Sequence, residues 1–278
     1  MVNLKALVIG IDGLRWDRVH DGNAPRLSAL ARTGLFAPSL LDVTSGTRTE
    51  SGPGWSTIAT GVWPDKHGVL DNSFETKRYE LYPDFLTRLG REGRTTFAAV
   101  DWPPLADEGV FGPEIGTIVA GDGEEYGYLP EDERMTAAAV DGLQGSDVTF
   151  VYLGCVDIAG HMAGPLSTEY SLAIERVDAM VGELLDAIAR RRTFVAEKWL
   201  TIVTTDHGHR DEGDHGEYSD EERATFILAV TTDLPSGRRE DTTLVDLAPT
   251  VLHHFGVPVP PELDGRSLLD DQPSTVAP

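Results

Sequence analysis

The segment Leu200-Thr201-Ile202-Val203-Thr204-Thr205-Asp206-His207-Gly208 runs an apolar strand pattern straight into an adjacent carboxylate and imidazole at a glycine turn. Asp157 and His161 stand four residues apart in Val156-Asp157-Ile158-Ala159-Gly160-His161, and His215 heads a second His-Gly pair after His207. All of these are hard or borderline ligands. Zinc and its relatives take Asp, His and Glu where thiolates are absent, and carboxylate-rich sets hold two neighbouring cations against their mutual repulsion. The pattern points to a two-metal hydrolytic centre.

Such a centre needs elements that deliver its ligands to one place. Leu4 to Ile11 is a continuous apolar run ending at Asp12-Gly13, the mark of a strand buried on both faces of a parallel sheet. The pattern repeats, with Thr95 to Val100 ending at Asp101, Val148 to Val156 at Asp157, and Leu200 to Thr205 at Asp206. Helical patterns at Pro130 to Leu143 and Ser167 to Arg192 lie between them, which makes a βα alternation. In the second, apolar Leu172, Val177, Val181, Leu184, Leu185 and Ile188 predict a sheet-packing helix. Ligands of open α/β sheets gather beyond the carboxyl ends of the strands, so Asp12, Asp157 and Asp206 are expected to open onto one crevice. Asp101 shares the strand-end position but is followed by Trp102-Pro103-Pro104 and no histidine, and it stays outside the metal set. The stretch 101–134, rich in Gly, Pro and acid, is long for a plain connection and predicts a small cap or rim, with a surface loop as the alternative. No linker composition interrupts the chain, so 1–278 reads as a single catalytic α/β domain.

Composition narrows the partners. The formal charge of -23, from 46 acidic against 23 basic residues, argues against duplex nucleic acid, which needs clustered Lys and Arg to displace counterions. Small phosphorylated substrates fit, because bound dications would reverse the field locally. The single cysteine, Cys155, excludes an intramolecular disulfide and a thiolate cluster, and its apolar neighbours place it in the core. The start, Met1-Val2-Asn3-Leu4-Lys5, lacks the order of a cleavable leader, and no apolar run reaches membrane-spanning length. These features predict a soluble, reduced, cytoplasmic protein with no membrane partner.

The stretch Thr49-Glu50-Ser51-Gly52-Pro53-Gly54-Trp55, continuing to Lys66-His67-Gly68-Val69-Leu70-Asp71-Asn72, makes the reading specific. Together with Asp12 before it and Asp157, His161, Asp206, His207 and His215 after it, it resembles the alkaline phosphatase superfamily, closest to its nucleotide pyrophosphatase/phosphodiesterase branch. The resemblance runs from Leu4 to the mid-250s and rests on the order of all the motifs together. It implies a three-layer α/β/α sandwich around a mostly parallel sheet, and two zinc ions, with manganese or iron as substitutes in an Asp/His site. It implies that Asp12, Ser51, Asp206 and His207 hold one ion, and Asp157, His161 and His215 the other. Ser51 matches the nucleophile, with Thr49 as the alternative candidate, and a dication and a helix N-terminus would both favour its alkoxide. Asn72 matches the residue that, with the backbone N–H after the nucleophile, holds a non-bridging phosphoryl oxygen. The implied reaction is hydrolysis of phosphodiester or pyrophosphate bonds of small substrates, nucleotides among them, through a phosphoryl-serine.

The chain departs from the branch in a serine where threonine is frequent, in a last histidine only eight residues after His207, and in its shortness. His253 and His254 follow the helical pattern of Leu244 to Leu252 and read as structural. His67 reads as structural too, His209 as solvent-exposed in a charged loop, and Trp55, Trp63 and Trp102 as core or rim packing rather than base-stacking platforms. Phosphomonoester or phosphonate hydrolysis and phosphoglycerate mutation are neighbouring chemistries. Ser51-Gly52-Pro53 also echoes the sulfatase nucleophile motif, but Trp55 stands where that motif has arginine. A catalytically silent metal-stabilised binding protein is the reading from another class, and the complete ligand set with a nucleophile argues against it.

Overall fold

The structure, a computed structural model, describes residues 3–42 and 47–270, so Met1 and Val2 of the leader reading lie outside the described residues. Among the described residues eight strands form one sheet: β1 (Asn3–Ile11), β2 (Leu35–Leu40), β3 (Thr96–Val100), β4 (Thr117–Ala120), β5 (Val148–Leu153), β6 (Glu197–Thr205), β7 (Ala224–Val230) and β8 (Gly237–Arg238). Their order is β4-β3-β5-β1-β6-β7-β2-β8. The neighbours from β4 through β6 run parallel, while β7 is antiparallel to both β6 and β2. The sheet is therefore mostly parallel, with β1 at its centre.

Side-chain alternation on β1 sorts the helices into two layers. Ala6 and Val8 face α2 (Ser51–Thr60), α3 (Phe85–Arg91) and α7 (Leu247–His254), through Trp55, Ile58, Phe85 and Val251. Leu7, Ile9 and Ile11 face α1 (Pro25–Thr33), α4 (Tyr128–Gly145) and α6 (Thr168–Ala189), through Leu27, Met135, Ile174 and Val181. A strand covered on both sides reads as an unbroken apolar run, which is why β1 was legible in the sequence. Ser167 caps α6 by accepting the Tyr170 N–H. The predicted stripe of α6 is buried at Val177, Val181, Leu184 and Ile188, but Leu172 turns outward, 47% exposed. No helix among the described residues is long and apolar enough to cross a membrane.

One expectation needs correction. Asp157 does not end a strand, because β5 stops at Leu153 and Cys155 opens α5 (Cys155–Ala163), which carries Asp157 in its first turn. The buried carboxylate of Asp132 fixes that start by accepting the N–H groups of Gly154 at 2.7 Å and Cys155 at 2.9 Å. Residues 101–134 are divided: Thr117–Ala120 joins the sheet edge as β4, whereas Trp102, Glu124 and Tyr128 stand at the rim of the cleft that holds Ser51. The β-branched pair Ile118 and Val119 pairs with β3 and overrides the loop-like composition around it.

Gly10, in the interior of β1, lets the Trp55 ring lie against the strand, and any Cβ there would overlap the indole. Gly10→Ala is expected to cost about 1–3 kcal/mol, as overpacking of a filled core does. Urea unfolding followed by tryptophan fluorescence measures the loss, and unchanged stability would show that the indole has room to move.

Candidate metal centre

Two groups of donors converge beyond the carboxyl ends of β1, β5 and β6. Asp12, Asp206 and His207 form one and Asp157, His161 and His215 the other, each with ligand atoms within 4.8 Å of one another. In the first, Asp12 follows β1 and Asp206-His207 follows β6, adjacent strands in register. Asp12 Oδ2 accepts hydrogen bonds from Trp55 Nε1 at 2.9 Å and Tyr152 OH at 2.7 Å. Its Oδ1, like Asp206 Oδ2, is buried without a hydrogen-bond partner among the described residues. Both of those oxygens lie 3.3 Å from His207 Nε2, and so does Ser51 Oγ. The His207 Nδ1–H donates to the Gly208 carbonyl at 3.1 Å, which leaves the Nε2 lone pair for a cation. Two ligands at zinc distance on one tetrahedral ion stand roughly 3.3–3.4 Å apart. The spacing around His207 Nε2 therefore fits a shared ion.

The second group is built differently. Asp157 and His161 sit one helical turn apart on α5, with Asp157 Oδ2 3.3 Å from His161 Nε2. His215 comes from the loop after β6, and its Nδ1–H donates to the Thr49 carbonyl at 2.6 Å. His215 Nε2 then faces His161 Nε2 at 3.0 Å and Asp157 Oδ1 at 3.5 Å. His161 Nδ1 has its own acceptor in Asp214, at 3.3 Å. Because His215 Nδ1 is engaged as a donor, its Nε2 presents a lone pair to His161 Nε2, and either a proton or a cation can lie between the two rings. The residues present fit two metal ions.

The electrostatics carry the same signature. Burial, then the charge of Asp157, pushes Asp12 up to about 7 against the donors Trp55 and Tyr152. Asp206 is raised well above the usual carboxylate range by burial and by Asp12 and Asp157. Burial acts in the same sense on Asp157, but His161, His209 and His215 outweigh it and hold this carboxyl well below its ordinary value. His207 is driven strongly down by burial and by His215, which keeps the ring neutral with a free lone pair, while the raised carboxyls of Asp12 and Asp206 favour a proton that a bound cation would displace.

Ser51 opens α2, and the helix presses against the strand end because Gly54 has no side chain: a Cβ there would stand 2.7 Å from Asp206 Cβ. Asn72 Oδ1 accepts the Gly52 N–H at 2.7 Å, so the two donors that the resemblance assigns to a phosphoryl oxygen are joined to each other. The donor that Asn72 still offers the cleft is its amide. Glu50, just before Ser51, fixes the arrangement by accepting the Asn72 N–H at 2.9 Å. Ser51, Asn72, Trp102, Tyr128, His161 and His215 line a cleft of about 530 Å³.

The structure thus brings together Asp12, Ser51, Asn72, Asp157, His161, Asp206, His207 and His215. Thr49, the alternative nucleophile, is turned away, with its hydroxyl donating to the Glu217 carbonyl. His67 is buried; its Nδ1 accepts from the Val69 N–H while Nε2 meets Thr57 Oγ1, a structural role. His254 is hydrogen-bonded to the Lys5 carbonyl and His253 pairs with Asp270. Asp101 stays outside both groups, its carboxyl pushed up to about 10 by burial beside Asp132. Trp55 is wholly buried and holds Asp12. His209 overturns its expectation: it is not solvent-exposed but fully buried, because Arg15 pins its carbonyl at 3.1 Å and draws the charged loop inward. Sequence reasoning also missed the support for Asp12 from Tyr152, whose only signal was an inward register on an apolar strand.

The type I phosphodiesterase / nucleotide pyrophosphatase family model matches residues 6–91 and 99–226. Human ectonucleotide pyrophosphatase/phosphodiesterase family member 7 is 28% identical over 226 residues, which cover 73% of this chain and 47% of that protein. Human family member 1 is 29% identical over 225 residues, 73% of this chain and 23% of that protein. The chain spans about half the length, or less, of these relatives. Among solved structures, inactive murine ectonucleotide pyrophosphatase/phosphodiesterase 5 in complex with AMP superposes with a TM-score of 0.71 at 17% identity, covering 96% of this chain and 99% of that one. A phosphonate monoester hydrolase from Silicibacter pomeroyi gives 0.69 at 17% identity, with 98% and 78% covered.

A carboxylate whose folded pKa exceeds its unfolded one weakens folding as pH rises through the interval, here for Asp12 from about 4 to about 7. In cation-free protein at neutral pH, Asp12→Asn is expected to raise the melting temperature, by roughly 2–4 °C for each kcal/mol of repulsion relieved. With Zn2+ added the order is expected to reverse, because the substitution removes one donor of the candidate group. Calorimetric scans with and without the ion test both signs, and a lower cation-free melting temperature for the variant would refute the repulsion.

Proposed function

Because the chain belongs to the type I phosphodiesterase / nucleotide pyrophosphatase family, we propose that it is a two-metal hydrolase cleaving phosphodiester or pyrophosphate bonds of small substrates through a phosphoryl-serine on Ser51. The observation that carries the reading is the position of Ser51 Oγ, 3.3 Å from the same His207 nitrogen that Asp12 Oδ1 and Asp206 Oδ2 approach. Asp12, Ser51, Asp206 and His207 would hold one ion and Asp157, His161 and His215 the other, zinc first and manganese or iron as substitutes. Bound there, the ions would lower the pKa of the serine hydroxyl and offset the charge on the phosphoryl group.

The protein's own groups account for the remaining steps. The N-terminus of α2 favours negative charge on Ser51 Oγ, and burial of the helix keeps the hydroxyl in one place. Oγ attacks phosphorus as its O–H bond breaks, the bond to the leaving oxygen breaks, and the proton released by Ser51 ends on that oxygen. Asn72, held by Gly52 and Glu50, offers its amide to a non-bridging oxygen. Water then attacks phosphorus, the P–Oγ bond breaks, and Ser51 regains its proton. A neutral amide at that position, rather than an arginine clamp, suits a singly charged diester better than a dianionic monoester. The AMP held by the murine relative supports nucleotides as candidates for the substrate. We propose that one domain, built on the single sheet, carries the whole activity.

Ser51→Ala is expected to lower hydrolysis of bis-p-nitrophenyl phosphate by on the order of 10³-fold or more. Chelation should abolish the wild-type activity and Zn2+ restore it. Assays beside the monoester and the sulfate ester rank the substrate classes, and an undiminished Ser51→Ala protein would remove the nucleophile from the reading.

A further inference from the structure

His209 has no place in the two ligand groups, yet it lies among them. Its ring is fully buried and packs edge-on against His161, His207 and His215, with centroids 5.2, 5.9 and 5.2 Å away. Among the described residues neither ring nitrogen completes a hydrogen bond, and Asp157 Oδ1 is likewise without one. Those two demands face each other, for His209 Nε2 and Asp157 Oδ1 are 2.9 Å apart. A buried imidazole with no well-aligned partner costs about 1–3 kcal/mol, so such a group calls for a functional account.

Two glycines from separate segments make room for it. A Cβ on Gly160 would stand 2.5 Å from His209 Nε2, and one on Gly13 would stand 2.6 Å from Nε2 and 2.7 Å from Asp157 Oδ1. Gly160 lies inside α5, where glycine weakens a helix by about 1 kcal/mol relative to alanine. The helix that carries Asp157 and His161 accepts this weakness at the point where the ring enters. From the other side, Arg15 Nη1 donates to the His209 carbonyl at 3.1 Å and is itself held by Asp17 and Asp211. Ring and backbone are both constrained.

We infer that His209 is a positioning residue of the second cation site, where its Nε2 fixes the Asp157 carboxylate so that this ligand meets the ion alongside His161 and His215. The inference rests on the two-metal reading. Outer groups that orient a ligating carboxylate change metal affinity about 10–100-fold, and His209 acts on one ion of the two because it reaches the sites through Asp157.

Titration of the cation-free full chain with Zn2+ alone, followed by calorimetry, tests this without any turnover. Wild type is expected to take up two equivalents. His209→Ala should keep one at wild-type affinity and bind the other about 10–100-fold more weakly, while His209→Gln, whose amide N–H can reach the same oxygen, recovers part of the loss. Gly160→Ala, whose Cβ would meet the His209 ring before any other group outside its helix, should reproduce the selective weakening if His209→Ala fails to fold. Melting temperatures of the cation-free variants are measured beside the titrations. Lower melting temperatures with both Zn2+ affinities unchanged, or equal weakening of both ions, would overturn the positioning role. Fewer than two equivalents in the wild type would instead overturn the two-metal reading, and this inference with it.

Discussion

Asp12, Asp157 and Asp206 converge where β1, β5 and β6 end, in a corner dry enough that burial and mutual repulsion raise two of the three and only surrounding imidazoles keep the third ionised. Like charges this close are tolerated in a folded chain when something positive joins them or protons neutralise them. The ring nitrogens are driven toward the neutral form at His207 and His215, which leaves lone pairs rather than protons beside the carboxylates. The corner brings together two donor groups that could each hold a cation.

Much of the surrounding structure serves that arrangement. One oxygen of Asp12 is taken by Trp55 and Tyr152, so the other is held free and aimed. Trp55 in turn needs the absent side chain of Gly10, and it belongs to the same helix that Ser51 opens. Packing of α2 against the sheet, support of Asp12 and placement of Ser51 are thus one structural fact. On the other side, Asp132 fixes the start of α5 and thereby the direction from which Asp157 and His161 arrive.

The parallel core was legible because strands buried on both faces appear as apolar runs that stop abruptly at an acid. β2 and β8 gave no comparable signal: β2 carries Pro38 and ends exposed, and β8 is two residues long. Asp157 was read as a strand end because Val148 to Val156 is uniformly apolar, and periodicity cannot divide such a run between a strand and the first turn of a helix. His209 was placed in solvent from the charges around it, whereas Arg15, far away in sequence, gathers those charges and turns the ring inward.

The sequence by itself determined which residue types are present for chemistry and in what order, since ligand identity and the stop of an apolar run are local properties. It also determined the layered α/β class, because hydrophobic periodicity is read within one element. The tertiary structure decided which nitrogen faces which oxygen, that the Gly52 N–H is already engaged by Asn72, that Thr49 turns away, and that His209 stands beside Asp157. Those relations depend on contacts between segments up to about two hundred residues apart, and no local pattern encodes a distance across the sheet.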